Sequence, residues 1–348
     1  MATDIDRLRA TVQRNCHICD ARHAGDLTLC TYLMKMREYF RWERGYPYGA
    51  SLPNEAVGRW VRERERLWEG LQDASYEPLP VDGGEVDPFE SEIVNAALVP
   101  EGLVYSGGFG RGMRPHFFLG RLARRQQHDG CTILVSDEEY ARDLQAPPAM
   151  SQGRTVFVRR AALRQLLWEK VEAWRFSRCP DNPMGRAVAC YSLDGDVADA
   201  LERMTDDQLE TVLLHELGEL AAGRMLGEAW ERMLADVAGG RAELLARAVR
   251  DNLADCLSTL PALLEDPRPS RLHFLMASVG GMRGELFPAL RTAYERWHEG
   301  GGTARLREAA AAGAAHWAEV GRRMLALHAR GELTRPERLD ALMAEERL

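Results

Sequence analysis

LLHELGEL, residues 213–220, places a histidine and two carboxylates inside an otherwise apolar run. In a helix, positions four apart stack on one face, so His215 and Glu219 point the same way. Glu216 lies about 100° round the helix from His215. Leu213, Leu214, Leu217, Leu220 and Ala221 form the main apolar stripe. Val212, Ala222 and Leu226 flank the His215–Glu219 face as well. A helix apolar on both sides lies between packed layers. A charge buried there without a partner is very costly, so a metal ion or a basic partner is expected. His215 and Glu219 are the candidate metal ligands.

Working outward, Thr205 and Gln208 read as a capping box that starts this helix, with Asp206 and Asp207 suiting its positive end. The helix is expected to run to about residue 234. Upstream, AALRQLLWEKVEAWRF (161–176) has the pattern of an amphipathic helix. Before it, GLVYSG, HFFLG, CTILVS and RTVFVR are short β-branched or aromatic runs and read as one small sheet. Downstream, RDNLADCLSTL offers Asp251 and Asp255, again four apart. They lie opposite that helix's main apolar stripe of Leu245, Val249, Leu253, Cys256, Leu260 and Leu264, which reads as a solvated face. Leu244, Ala248 and Ala262 share the aspartates' side and leave the ligand reading open. Glu228, Glu231 and His273 are weaker candidates.

The rest of the chain is helical in pattern. The expected organisation is a helical region over 1–75, a linker over 76–99, an α+β part over 100–235 and a helical C-terminal bundle over 236–348. The fold class is α+β: mostly α-helical, with a small mixed β-sheet in mid-chain.

With 45 basic and 53 acidic residues, the net charge is −8, which argues against a general grip on nucleic acid. No run of about 18 apolar residues exists to span a membrane. The start, MATDIDRLRA, has no apolar signal-like segment, and the 7 cysteines are odd in number and scattered. A cytoplasmic chain with free thiols is expected. A homo-oligomer is possible.

NCHICDARHAGDLTLC, residues 15–30, spaces Cys16, Cys19, His23 and Cys30 as C-x2-C-x3-H-x6-C, a possible second metal site. The alternative is a loop at a helix start, held by Asp20, Arg22 and Asp26. Tyr39, Phe40, Trp42, Tyr46 and Tyr48 lie among Arg37, Arg41 and Arg44. They could stack bases, or pack a helix end on its domain. SGGFGRGMRP (106–115) is followed by no GK[ST] and opens no helix, so it reads as a wide hairpin turn, and no nucleotide cofactor is expected.

VLLHELGEL resembles the active-site helix of the zincin metallopeptidases, whose pattern is HExxH. The resemblance implies His215 as a ligand and Glu216 as general base. It implies Glu219 as a ligand where the family has its second histidine. A carboxylate there weakens the metal as a Lewis acid and shifts preference from zinc toward iron or manganese. RDNLADCLSTL is similar to the downstream zincin helix, which supplies one acidic ligand and one acid supporting a ligand histidine. A histidine among helical carboxylates also resembles the carboxylate-bridged iron or manganese bundles, but their ExxH pair is missing here. Separately, residues 15–30 and MREYFRWERGYPYGASLPNE resemble an uncharacterised bacterial family built from two halves of unknown function. The leading expectation is a metal-dependent enzyme, a hydrolase with a variant HExxE site. The alternative is a non-enzymatic scaffold or partner-binding protein with a buried ion-pair helix at 211–226.

Overall fold

The structure, a computed structural model, describes residues 4–177, 179, 181–193 and 195–348. It is α+β, with a small mixed sheet in mid-chain and a helical C-terminal part. The chain forms two compact units. The first holds 4–110, Arg114–Glu169 and 195–205, and the second Arg111–Met113, Lys170–Leu193 and Asp206–Leu348. The segment 100–235, expected to form one α+β part, is divided between them.

The first unit begins with three helices, α1 (Ile5–His23), α2 (Leu29–Arg44) and α3 (Asn54–Glu69). The N-cap of α2 is Thr28, and Gly45 closes it in the left-handed conformation at φ 66°. A hairpin of β1 (Leu79–Val81) and β2 (Gly84–Val86) follows, then α4 (Ser91–Leu98). This corrects the expected linker over 76–99. Asp82 and Gly83 both have positive φ, at 52° and 78°, which is what a two-residue hairpin needs and what an Asp-Gly pair supplies.

The sheet contains β3 (Leu103–Phe109), β4 (Pro115–His128), β5 (Cys131–Arg142), β6 (Ala149–Gln152) and β7 (Thr155–Arg159). Its order is β3-β4-β5-β7-β6, antiparallel except for the β5–β7 pair. One face packs Tyr105, Phe117 and Leu119 on Leu8, Val12 and Cys16 of α1. The other gathers Val104, Phe118, Leu134 and Phe157. Alternation along each strand sends successive side chains to opposite faces, and both faces carry buried apolar residues. The aromatics of α2 form a third cluster, Tyr39 and Phe40 with Trp60 and Trp68, so they pack a helix end rather than stand free.

The chain passes to the second unit within α5 (Arg160–Ser177) and again within α7 (Val197–Leu226), with α6 (Pro183–Ala189) between them. The second unit continues through α8 (Glu228–Asp236), α9 (Arg241–Ala254), α10 (Leu260–Glu265) and α11 (Pro269–Ser278). It ends with α12 (Gly281–Leu286), α13 (Pro288–Arg296), α14 (Ala304–Ala329) and α15 (Pro336–Glu345). Its core is built on Trp230, Val249, Leu253, Phe287, Tyr294 and Trp317.

The expected capping box at Thr205 is absent. Thr205 lies inside α7, and its hydroxyl donates to the Leu201 carbonyl at 2.7 Å. A helix-interior threonine satisfies itself this way, one turn back. Gln208 instead donates to the Tyr191 hydroxyl at 2.9 Å. Gly227, at φ 77°, ends α7 before the expected stop near 234.

Candidate metal centre

All parts of the centre lie in the second unit. α7 carries His215, Gly218 and Glu219 on one face. α9 carries Asp251 and Ala254, and Asp255 follows directly. Gly218 sets the distance between the two helices. A Cβ at that position would lie 2.3 Å from the Ala254 carbonyl oxygen, so only glycine lets the backbones approach this closely. The approach brings the pair at 215 and 219 against the pair at 251 and 255.

Asp255 is buried, with 2% of its side chain exposed. It accepts from His215 Nδ1 at 2.8 Å and from the Thr259 hydroxyl at 2.8 Å. The Arg283 guanidinium bonds its other oxygen. The reading of Asp255 as a solvated residue is therefore corrected. Its partners from α7 and from Arg283 meet it there, which the pattern of its own helix does not show. Asp255 opens a π-type turn, Asp255–Thr259, in which the Leu260 N–H reaches back to the Asp255 carbonyl. Pro261 follows. A proline there removes a donor and crowds the preceding turn, and a widened turn is one relief of that conflict.

His215 Nε2 faces the other way, 3.6 Å from Glu219 Oε1. Glu219 Oε1 also accepts from Arg250 Nη2 at 2.8 Å. Arg250 Nη2 stands 3.8 Å from Asp251. Donor atoms of His215, Glu219 and Asp251 all lie within 4.8 Å of one another. Among the described residues, this is the one group of three or more histidine, cysteine and carboxylate donors so close together.

The electrostatics follow from this crowding. Burial acts against a charged imidazole, but Asp255 and Glu219 outweigh it and lift His215 well above its ordinary value. Burial raises the Glu219 carboxyl, yet Arg250 and His215 hold it well below the usual range. Burial opposes ionisation of Asp255 too, and Arg283 and His215 bring it down to about 2. Burial and Glu219 raise Asp251. Glu216 is pushed up to about 8, first by burial and then by Glu219. It is 8% exposed, and its Oε2 has no hydrogen-bond partner. A buried carboxyl that keeps its proton near neutrality, with one oxygen unmatched, is a group able to give or take a proton.

The other expected ligands do not converge. Cys16 and Cys19 sit in α1, buried, and donate to the Phe117 and Pro115 carbonyls of β4 at 3.3 and 2.8 Å. Cys30 is exposed on α2. His23 pairs with Asp26 at 3.5 Å. His273 bonds the Tyr294 hydroxyl at 2.8 Å. Glu228 is exposed.

Sequence reading missed three residues of the centre. Gly218 stands inside the motif, one helical turn from His215, and a glycine amid leucines was the available signal. Arg250 precedes Asp251 directly, but nothing marked it as inward. Arg283 is 28 residues beyond Asp255, with no local pattern to announce it.

Residues 7–159 match the N-terminal domain, and residues 164–346 the C-terminal domain, of a family of unknown function (DUF6866). The chain belongs to this family. The candidate centre falls wholly within the part matched by the DUF6866 C-terminal domain, and the sheet within the part matched by the N-terminal one. Comparison with curated proteins and with solved structures finds no match. No described helix is long and apolar enough to cross a membrane.

Proposed function

We propose that the chain is a divalent-metal-dependent hydrolase whose centre is formed by His215, Glu219 and Asp251. The observation that carries this reading is the geometry around one imidazole. Asp255 takes Nδ1, so Nε2 is left facing Glu219 at 3.6 Å, and Asp251 brings a third donor within 4.8 Å of these two residues. A carboxylate that holds the far nitrogen of a histidine sets its tautomer and aim, the usual support of a metal-ligating imidazole. One nitrogen and two carboxylates suit zinc, and suit iron or manganese better.

A bound ion would supply Lewis acidity and an acidified water. The remaining steps belong to the chain. Asp255 orients His215, and Arg283 and Thr259 hold Asp255. Glu219 and Asp251 supply negative charge, and Arg250 balances it. Glu216 holds a proton near neutrality and would carry it between water and leaving group. Binding also has to displace the proton on His215, so affinity should rise with pH.

A second reading is favoured by the Arg250–Glu219 and Arg283–Asp255 pairs. Three carboxylates, two guanidiniums and a protonated His215 sum to zero charge. A neutral cluster of that kind could simply be the buried ion-pair helix of a scaffold or partner-binding protein.

Elemental metal analysis of the purified chain decides between them, run beside a His215→Ala, Glu219→Ala variant. Near-stoichiometric metal in the native chain and none in the variant is the expected result. Equal and negligible metal in both would leave the ion-pair reading. With metal present, loss of ester, phosphoester or peptide hydrolysis in Glu216→Gln, at unchanged metal content, tests the proton-carrying role.

A further inference from the structure

The first unit holds a cavity of about 480 Å³ that the proposed centre does not use. Its origin lies in the strand register. Arg125, Leu134 and Phe157 are successive cross-strand partners on β4, β5 and β7, so they form one row on one face. Thr132, Thr155 and Gln152 form the next row on that same face. The sheet curls about these rows. Gln152 on β6 reaches back to donate to the Gly107 carbonyl of β3 at 2.8 Å, and the Ser106 hydroxyl meets Met150 Sδ at 3.0 Å.

The opposite wall is α4 and the turn after it, with Ser91, Asn95, Val99 and Pro100 lining the space. That wall is fixed. Asn95 bonds both the N–H and the carbonyl of Tyr105, at 2.9 and 2.7 Å. Ser91 accepts the Gly107 N–H at 2.9 Å. The cavity is thus the pre-formed mouth of a curled sheet, within the roughly 300–1,000 Å³ range of small-molecule sites.

The lining is graded. Leu134 and Phe157 give an apolar floor. Thr132, Thr155 and Gln152 give a polar edge beside it. Arg125 and Arg154 stand exposed at the rim. Arg154 is braced by its Nε bond to the Gly130 carbonyl at 2.9 Å. Glu92 is the one carboxylate in the lining, so the rim keeps an excess of one positive charge.

We propose that this mouth binds a small anion with a flat apolar body, a ring-bearing carboxylate or phosphate monoester. The ring lies against the apolar wall of Ala96, Val99 and Pro100, over the sheet floor, and the charge on Arg125 and Arg154.

The test uses the full chain, labelled with ¹⁵N, and two probes, 2-naphthoate and adenosine 5′-monophosphate. Inorganic phosphate, adenosine and 2-naphthylmethanol serve as the half-molecules. The expected result is saturable amide shifts confined to 91–100, 130–134 and 152–157. A whole probe should bind at least tenfold more tightly than either of its halves. The Arg125→Gln, Arg154→Gln variant, altered only at exposed positions, should weaken binding at least tenfold with its spectrum otherwise unchanged. Binding of naphthoate alone would identify a carboxylic acid as the source, and binding of the nucleotide alone a phosphate monoester. No saturable shift in these segments with either probe would overturn the proposal. Equal binding by the halves, or no effect of the double variant, would also overturn it.

Discussion

Two pairs of candidate ligands, one in each unit, ended in opposite places. Cys16 and Cys19 are three apart on a helix, and His215 and Glu219 are four apart. Both pairs are turned inward. The cysteines met a strand, and their thiols donate to main-chain carbonyls. Burial, with Asp143 and Asp20 nearby, pushes both thiols well above their ordinary value, so they stay protonated where a metal would need thiolate. His215 and Glu219 met another helix carrying two carboxylates and an arginine. A strand offers acceptors already fixed by the backbone, and a helix face offers side chains. Ligand spacing alone does not decide a site; what the face meets does.

Four substitutions would break or sharpen this contrast. The largest effect is expected from Asp255→Ala. It strands the Arg283 charge and frees His215, and should cost about 3–5 kcal/mol in urea unfolding. It should also empty any metal from the protein. The acid limb of stability should change with it. The Asp255 carboxyl is depressed to about 2, so its contribution is full above the ordinary carboxylate value and is lost as pH falls through about 2. The variant should show a shallower loss across that range. An unchanged unfolding midpoint would mean that Asp255 does not anchor the cluster.

Gly218→Ala comes next. The added Cβ meets the Ala254 carbonyl at 2.3 Å. Overpacking of this kind costs about 1–3 kcal/mol, against a gain of about 1 kcal/mol in helix propensity. Net destabilisation by thermal melting is expected, with weakened metal retention. A stabilised variant would show that the two helices need no such close approach.

Glu216→Gln should act through pH. The buried carboxyl titrates near 8 when folded and near its ordinary value when unfolded, so stability falls as pH rises between the two. Glutamine removes that slope. Between pH 6 and 7.5 the variant should lose about 2 kcal/mol less than the native chain in parallel urea titrations. Identical slopes would place Glu216 in a wetter setting than its burial indicates.

The smallest effect on the centre belongs to Cys16→Ala with Cys19→Ala. Each removes a small buried group and one weak hydrogen bond, about 1 kcal/mol apiece. Metal content should not change. Loss of metal here, with the centre at 215 intact, would reverse the contrast.

Much of the fold was legible from pattern. Four of the five sheet strands, the helix over 161–176 and the helical C-terminal part are marked by apolar periodicity, which burial enforces locally. The hairpin at 79–86 was also marked, by Asp82-Gly83, but its Pro- and acid-rich surroundings read as a linker. β6 is too short, at four residues, for alternation to register. Thr205 misled because a hydroxyl can cap a helix or back-bond within one, and its own sequence does not choose.

By itself, the sequence determined which residues could share a face: His215 with Glu219, Asp251 with Asp255, Cys16 with Cys19. Helical geometry makes that a local property. Only the tertiary structure decided which face met which. The close approach at Gly218 and Ala254, the arrival of Arg250 and Arg283, and the capture of the two thiols by β4 all join residues distant in sequence. Such contacts depend on how whole elements pack, and no short window of residues contains that information.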